Sequence, residues 1–270
     1  MTDDAVFQLT SGRTPMLVSM PHTGVEIPAA LRAGFVERAR QLEDTDWHLQ
    51  TLYNFLGELG VSVITPRVSR YVIDLNRPPD DTPMYPGASN TGLCPTQFFT
   101  GESLYVEGAE PDAAERERRR QTFWQPYHTA LEAELMRQKA SHGYALLWDA
   151  HSIRSEIPWL FDGRLPDLCI GTADGASADH HICDAVSAAC QSLPTFTSVV
   201  NGRFKGGYIT RRYGQPAQHI HAIQLEMCQR TYMQEQPPYA YDATFAAQVQ
   251  PVLKRMLEAA MTAGKERYER

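Results

Sequence analysis

No run in this sequence approaches the ~18 consecutive apolar residues that a membrane span requires, so a membrane role is not expected. Basic residues are not in excess either. The formal net charge is -7, which argues against a general nucleic-acid surface, because phosphate binding needs Lys and Arg concentrated on one face. A local arginine pocket for a small anion stays open. Cysteine is sparse: Cys94, Cys169, Cys183, Cys190 and Cys228 are odd in number, scattered and without a Cys-x-x-Cys pair. Cys183 and Cys190 share helical spacing with Ile182 and Val186, which reads as core. The opening stretch MTDDAVFQLTSGR lacks a basic start and an apolar run, so no signal peptide is expected. A protein of a reducing compartment, most simply cytoplasmic, fits these absences. Internal repeats, low-complexity tracts and a convincing linker are missing too. The 270 residues, 43% hydrophobic and 21% charged, read as one domain of ordinary globular balance.

What is present alternates between strand and helix patterns. Strands are expected at Pro15–His22, in VSVITP, RYVIDLNR, YALLWD, DLCIGTA and HAIQLEMC. An amphipathic helix is expected over Gln41–Leu59, closed by Gly60. Glu110–His142 reads as a long helix with Pro111 in its first turn, a kink or split at Pro126 and a cap at Gly143. Ser177 is expected to cap a helix through Leu193. A last helix carries Phe245, Val249, Val252, Met256 and Ala260. Pro78–Pro111 has little regular signal, and loops that long are usually functional or disordered. The alternation argues for an α/β fold with a mixed, largely parallel sheet.

Ligands of open α/β sheets sit outside the carboxyl ends of the strands. Three of the expected strands end in His22 (MPHTG), His151 (WDAHS) and Glu226 (IQLEM). Two histidines and a carboxylate around an open position is the arrangement of catalytic zinc. The acidic ligand is open among Glu43, Asp44 and Asp46 in EDTDWH and Glu26 beyond His22, since helix capping accounts for one of these acids but not for all. Asp149 precedes His151 by two residues and points to the same strand face, as an orienting acceptor or as a cap. Asn76, Arg70, Arg77 and Arg154 lie near the same ends. A bidentate guanidinium beside a metal suits a substrate carboxylate. GRFKGGYITRRYG mixes glycines with Arg203, Lys205, Tyr208, Arg211 and Arg212; its spacing is not that of a phosphate loop.

The motifs PHTG, DTDW, SRYVIDLNR, YPGASNTGLCP, DAHS, GRFKGGYITRRYG and IQLEM resemble, in that order, those of the N-formylglutamate amidohydrolases, from about Met16 to Tyr232. The family is similar to the zinc carboxypeptidase-like hydrolases. The resemblance implies a three-layer α/β/α fold of zinc-exopeptidase type and hydrolysis of N-formyl-L-glutamate to formate and L-glutamate, usually in histidine degradation. It implies one divalent metal, Zn²⁺ or else Co²⁺ or Fe²⁺, held by His22, Asp46 and His151. Val25 stands where the carboxypeptidase spacing would place a glutamate, and DTDW favours Asp46 over Glu26. Glu226 is implied as the base and Asn76–Arg77 as the clamp on the α-carboxylate. Arg70, Arg154 or a cation of the Gly202–Gly214 loop would reach the side-chain carboxylate. Ser152, Lys205 and Tyr208 are supporting candidates, and the partner is a small dicarboxylate.

Other chemistries are open to these residues. A cysteine hydrolase would use Cys94 or Cys228, neither of which lies in a recognisable nucleophile motif. His219 and His221 form an HxH pair that could bind metal. A metal-free dicarboxylate-binding module would keep the arginines, and a related deacylase or exopeptidase would act on another N-acyl-amino acid.

Overall fold

The computed structural model describes residues 6–84, 91–192 and 195–269. Its centre is one sheet of seven strands: β1 (Phe7–Thr10), β2 (Met16–Ser19), β3 (Ser62–Pro66), β4 (Ala145–Ile153), β5 (Leu168–Gly171), β6 (Ser198–Val200) and β7 (Ile220–Cys228), in the order β1-β3-β2-β4-β7-β5-β6. β3, β2, β4 and β7 run parallel, and antiparallel pairs join β1 to β3 and β5 to β7. The expected mixed, largely parallel α/β sheet is therefore present. The helices are α1 (Ala29–Arg32), α2 (Leu49–Leu52), α3 (Leu56–Leu59), α4 (Ala113–Arg119), α5 (Gln125–His142), α6 (His180–Gln191), α7 (Tyr208–Tyr213) and α8 (Ala243–Tyr268). Among the described residues no helix is long and apolar enough to cross a membrane.

The central strands are buried on both faces, so their side chains sort into two cores. Leu146, Trp148, Ala150, Ile223, Leu225 and Met227 pack against α6 and α8 through Ile182, Val186, Val249, Val252 and Met256. Ala145, Leu147, Ile220 and Ala222 pack on the other side against Tyr127, Leu131, Leu135 and Ile209 of α5 and α7. Each fully buried Leu, Met or Val contributes about 1.5–3 kcal/mol relative to exposure. Two packed layers over one sheet make the three-layer arrangement.

Several local expectations are corrected. The segment 41–59 is not one helix, because Leu42 (φ 52°) and His48 (φ 61°) are left-handed and break it; only α2 and α3 are helical. RYVIDLNR is not a strand. Residues 71–75 are all buried, and the backbone turns on local bonds, with the Val72 N–H donating to Ser69 O and the Asn76 N–H to Asp74 Oδ1. Pro111 lies before the cap of α4, which is Asp112, accepting the Glu115 N–H at 2.8 Å. A π turn at Arg120–Trp124 precedes Pro126, which sits in the first turn of α5; proline has no N–H to continue the helical ladder. Gly143 caps α5 as expected, at φ 81°. Asp179, not Ser177, caps α6; Ser177 Oγ donates instead to Ala222 O. Phe245 belongs to no core and is 49% exposed. Leu193 and residues 85–90 of the YPGASNTGLCP motif lie outside the described residues.

Two buried imidazoles make stability depend on pH. His128 lies between Tyr213 and Trp124, with Nε2–H donating to Leu75 O and Nδ1 facing Tyr213 OH. His221 Nδ1 accepts the Asp179 N–H, and Nε2 lies 2.7 Å from Tyr268 OH. Burial pulls His128 down to about 3 and His221 down to about 4. The unfolded chain binds these protons near pH ~6.5, so it carries more protons than the folded one below that value. Their contribution is full above about pH 6.5 and is lost as pH falls toward the folded values. Melting temperature should drop between about pH 7 and pH 5. A constant value across that interval would contradict buried, neutral rings.

Candidate active site

One face of the two central strands changes character along its length. On β4 it reads Ala145, Leu147, Asp149, His151; on β7 it reads Ile220, Ala222, Gln224, Glu226. The parallel register sets Asp149 beside Gln224 and His151 beside Glu226. The first two residues of each run are core. The last two are polar yet buried, and they lie in the C-terminal halves of the two strands. The loop after β2 brings His22 to the same place. The 42–48 turn brings Asp46, held by its N–H donating to His22 O at 3.1 Å and by its Oδ2 accepting the Ser152 N–H.

His22, Asp46 and His151 form the cluster, with one ligand atom from each lying within 4.8 Å of the others. The Nδ1 atoms of His22 and His151 lie 3.7 and 3.2 Å from Asp46 Oδ2. Both Nε2 atoms have a carboxylate behind them, Asp74 Oδ1 at 2.7 Å for His22 and Asp149 Oδ2 at 3.2 Å for His151. Assigning the His22 ring proton to Nε2 makes that imidazole donate to Asp74 and leaves its Nδ1 lone pair facing Asp46; His151 also turns Nδ1 toward Asp46, with Asp149 Oδ2 and the Asn76 amide nitrogen both beside its Nε2. That is the donor set and outer support that a divalent metal uses. The cluster can hold a metal.

The electrostatics agree. Asp46, Asp74, Asp149 and Glu226 are all buried here. Arg70 offsets part of this charge, with Nη2 2.7 Å from Asp74 and Nη1 3.8 Å from Asp46, and lies over the Phe99 ring. Burial lowers the His22 pKa, and Arg70 lowers it further, which favours the neutral ring that a metal binds. Burial would raise Asp74, but His22, Arg77 and Arg70 hold it well below the usual carboxylate range. Burial also opposes charge on His151, yet Asp149, Asp46 and Glu226 outweigh it and hold the ring well above its ordinary value. A field that retains a proton there equally favours a metal cation in its place. Glu226 is pushed up to about 8, first by burial and then by Asp46, with His151 pulling the other way.

The cluster opens into a cavity that Glu226, Arg70, Asn76, Arg77, Ser152, Gln224 and Arg203 also line, with Thr91, Phe99, Ile153, Leu160 and Phe204 on its apolar and neutral walls. Arg77 is fixed there by Thr91, its Nε and Nη2 donating to Thr91 O and Oγ1 at 2.8 and 2.7 Å. Trp124 Nε1 holds the Arg77 carbonyl. Asn76 reaches the cavity, but Oδ1 accepts the Ile209 N–H and Nδ2 lies 2.9 Å from His151 Nε2. Its polar atoms thus face the protein. Ser152 Oγ accepts from Tyr232 OH.

The other candidates lie elsewhere. Arg154 pairs with Asp44 at 3.2 Å and does not line this cavity. Asp44 also accepts from Tyr71 OH and the Phe99 N–H. Glu43 pairs with Arg38, and Glu26 with Arg67 at the surface. None of the EDTD acids caps α2, whose N-cap residue is His48, without a side-chain cap bond. Lys205 faces Asp174, and Tyr208 packs on Trp124 and His128. Cys94 is buried with its thiol pushed up to about 11, burial being the main cause. Burial likewise raises Cys228, and neither cysteine borders the cavity. His219 and His221 stand at the opposite end of β7, and His219 precedes the strand. Reading the sequence missed Asp74, although its spacing from Arg70 could have suggested the pair, and Gln224, which period two places on the face of Glu226.

A buried His–Asp–His cluster that can hold a metal, with the Glu226 carboxylate beside it in a mixed sheet, suits a metal-assisted hydrolase of α/β fold. The comparisons narrow this. A model of the N-formylglutamate amidohydrolase family matches residues 14–233, and the chain belongs to that family. It is 52% identical over 267 residues to the N-formylglutamate deformylase of Pseudomonas putida, covering 99% of this chain and all of that one. It is 52% identical over 265 residues to the enzyme of the same name from Pseudomonas aeruginosa, covering 98% of this chain and 99% of that one. The crystal structure of N-formylglutamate amidohydrolase from Ralstonia eutropha superposes with a TM-score of 0.82 at 22% identity, over 95% of this chain and 98% of that one. At that identity it supports the fold alone.

Proposed function

We propose that this chain hydrolyses N-formyl-L-glutamate to formate and L-glutamate, and that His22, Asp46 and His151 hold the metal it needs. The convergence of those three residues with Glu226 on one cavity carries the reading, and the full-length similarity to two deformylases supports the substrate. A nitrogen-rich, single-carboxylate set suits Zn²⁺, with Co²⁺ or Fe²⁺ accepted by the same ligands. The metal supplies Lewis acidity, which makes a water more acidic and the formyl carbonyl more electrophilic. Glu226 takes a proton from the attacking water and passes it to the departing amine nitrogen. Its raised proton affinity suits both halves of that transfer. Asp74 and Asp149 keep the two imidazoles oriented. Arg77 holds the α-carboxylate, and Arg203 contributes charge for the second one. Phe99, Ile153, Leu160 and Phe204 shield the reaction from bulk water.

The test is kcat/KM for formate release from N-formyl-L-glutamate and N-formyl-L-glutamine. Both substrates keep the α-carboxylate and only the acid offers a second one to Arg203 at the cavity wall, so the acid should be preferred by on the order of 100-fold or more. Arg77→Lys keeps the charge but loses the planar fork, and should lower kcat/KM for both substrates, since both carry the α-carboxylate. Equal values for acid and amide in the unmodified enzyme would leave only a general deformylase.

A further inference from the structure

The mechanism leaves the amide of Gln224 unused. Gln224 is 3% exposed and borders the cavity of the His–Asp–His cluster. It stands two residues before Glu226, on the same face of β7. Its Oε1 accepts the Gly207 N–H at 2.7 Å, which fixes the orientation of the amide. Nε2 has no partner among the described residues, yet it is not one of the sealed, partnerless polar atoms. Nε2 therefore reaches the wall of the cavity, with donors that no protein acceptor among the described residues takes up. A buried amide with unused donors is costly until something supplies acceptors.

The surroundings hold this amide in place. A Cβ on Gly207 would come within 2.4 Å of Asn76 Nδ2, and one on Gly171, the register neighbour of Gln224 on β5, within 2.6 Å of the Gly206 nitrogen. The glycines let the 205–207 backbone lie against the sheet and present the Gly207 N–H to Oε1. The contact that fixes the amide is thus tight.

We propose that Gln224 is a specificity-determining residue whose Nε2 donates to the side-chain carboxylate of the substrate. This rests on the N-formylglutamate reading above. Two residues along a strand span about 6.6 Å. From the formyl carbon, five bonds lead to the side-chain carboxylate carbon, reaching about 6 Å when extended, and three lead to the α-carboxylate carbon, reaching less than about 4 Å. With the formyl carbon beside Glu226, the strand spacing matches the distal carboxylate. A carboxylate offers about four lone-pair sites, so it can accept from this amide and from Arg203 together.

Gln224→Glu separates this role from mere bracing of the loop. It keeps the shape and the acceptor for the Gly207 N–H, removes both donors and adds a negative charge. The ratio of kcat/KM for N-formyl-L-glutamate over N-formyl-L-glutamine should fall by roughly 100-fold, because the acid is repelled while the amide can donate to the new carboxylate. Gln224→Met, which lacks the charge, should lower the ratio by roughly 10-fold. An unchanged ratio in both variants overturns the proposal, whether activity is retained (bracing only) or falls equally on both substrates (disturbance of Glu226). Formate release by the unmodified enzyme is the control. Its absence would defeat the underlying reading, whereas an unchanged ratio with an active parent defeats only the role of Gln224.

Discussion

His151→Ala, and equally His22→Ala, should yield protein that retains no stoichiometric metal and releases no formate above background. Each imidazole is one of three donors, and the two that remain make a poor site for a divalent ion. The loss extends beyond the ligand. Among the described residues, Asp149 without His151 keeps the Thr210 hydroxyl at 3.2 Å, and its Oδ1 has no partner even now. Without His22, Asp74 retains its contact with Arg70, so that variant should be the better folded of the two. Elemental analysis of the purified variants beside a formate assay makes the check, with circular dichroism to confirm folding. One metal per chain and full turnover in His22→Ala would dismiss the cluster as the metal site.

Glu226→Gln should do the opposite with respect to metal. The amide keeps the shape and the strand register but cannot accept a proton from water. Turnover should fall by roughly 10²–10⁴-fold, the usual worth of a positioned base, while metal content stays near that of the parent. Asp46→Asn supplies the contrast, because a neutral amide is a poor zinc ligand and the metal should be lost first. If Glu226→Gln emptied the site and Asp46→Asn left it filled, the two acids would have to exchange roles.

The cluster was largely legible in the sequence because its members sit at or just past strand ends that hydrophobic runs announce. LLWDAHS and AIQLEM pass from apolar to polar without a break, and both proved to be central strands. Their chemistry is written in period two, the easiest code to read. The acidic ligand was harder. Glu26 lies four residues from His22 and Asp46 far along the chain, so DTDW favoured Asp46 only by resemblance, and it is the turn between the left-handed Leu42 and His48 that carries Asp46 to the cluster. Those conformations are imposed by tertiary bonds that local propensity does not encode, such as the Asp46 N–H to His22 O. The arginines were least legible. Arg70, Arg77, Arg154, Lys205 and Arg203 look alike in sequence, and their duties follow from which acid lies opposite each in space.

The change from apolar to polar along β4 and β7 bears on how such a chain can vary. The lower half of each strand is a packing problem, with many solutions of similar volume. The upper half is a problem of phase. A slip of β4 by one residue against β7 would turn the opposite set of its side chains to each face, setting Trp148 and Ala150 toward the cavity and His151 toward α6 and α8. Mutational drift can therefore rewrite Ala145, Leu147, Ile220 and Ala222 freely only while it preserves the pairing, and an insertion or deletion of one residue within either strand should be far less tolerated than any single replacement in its lower half.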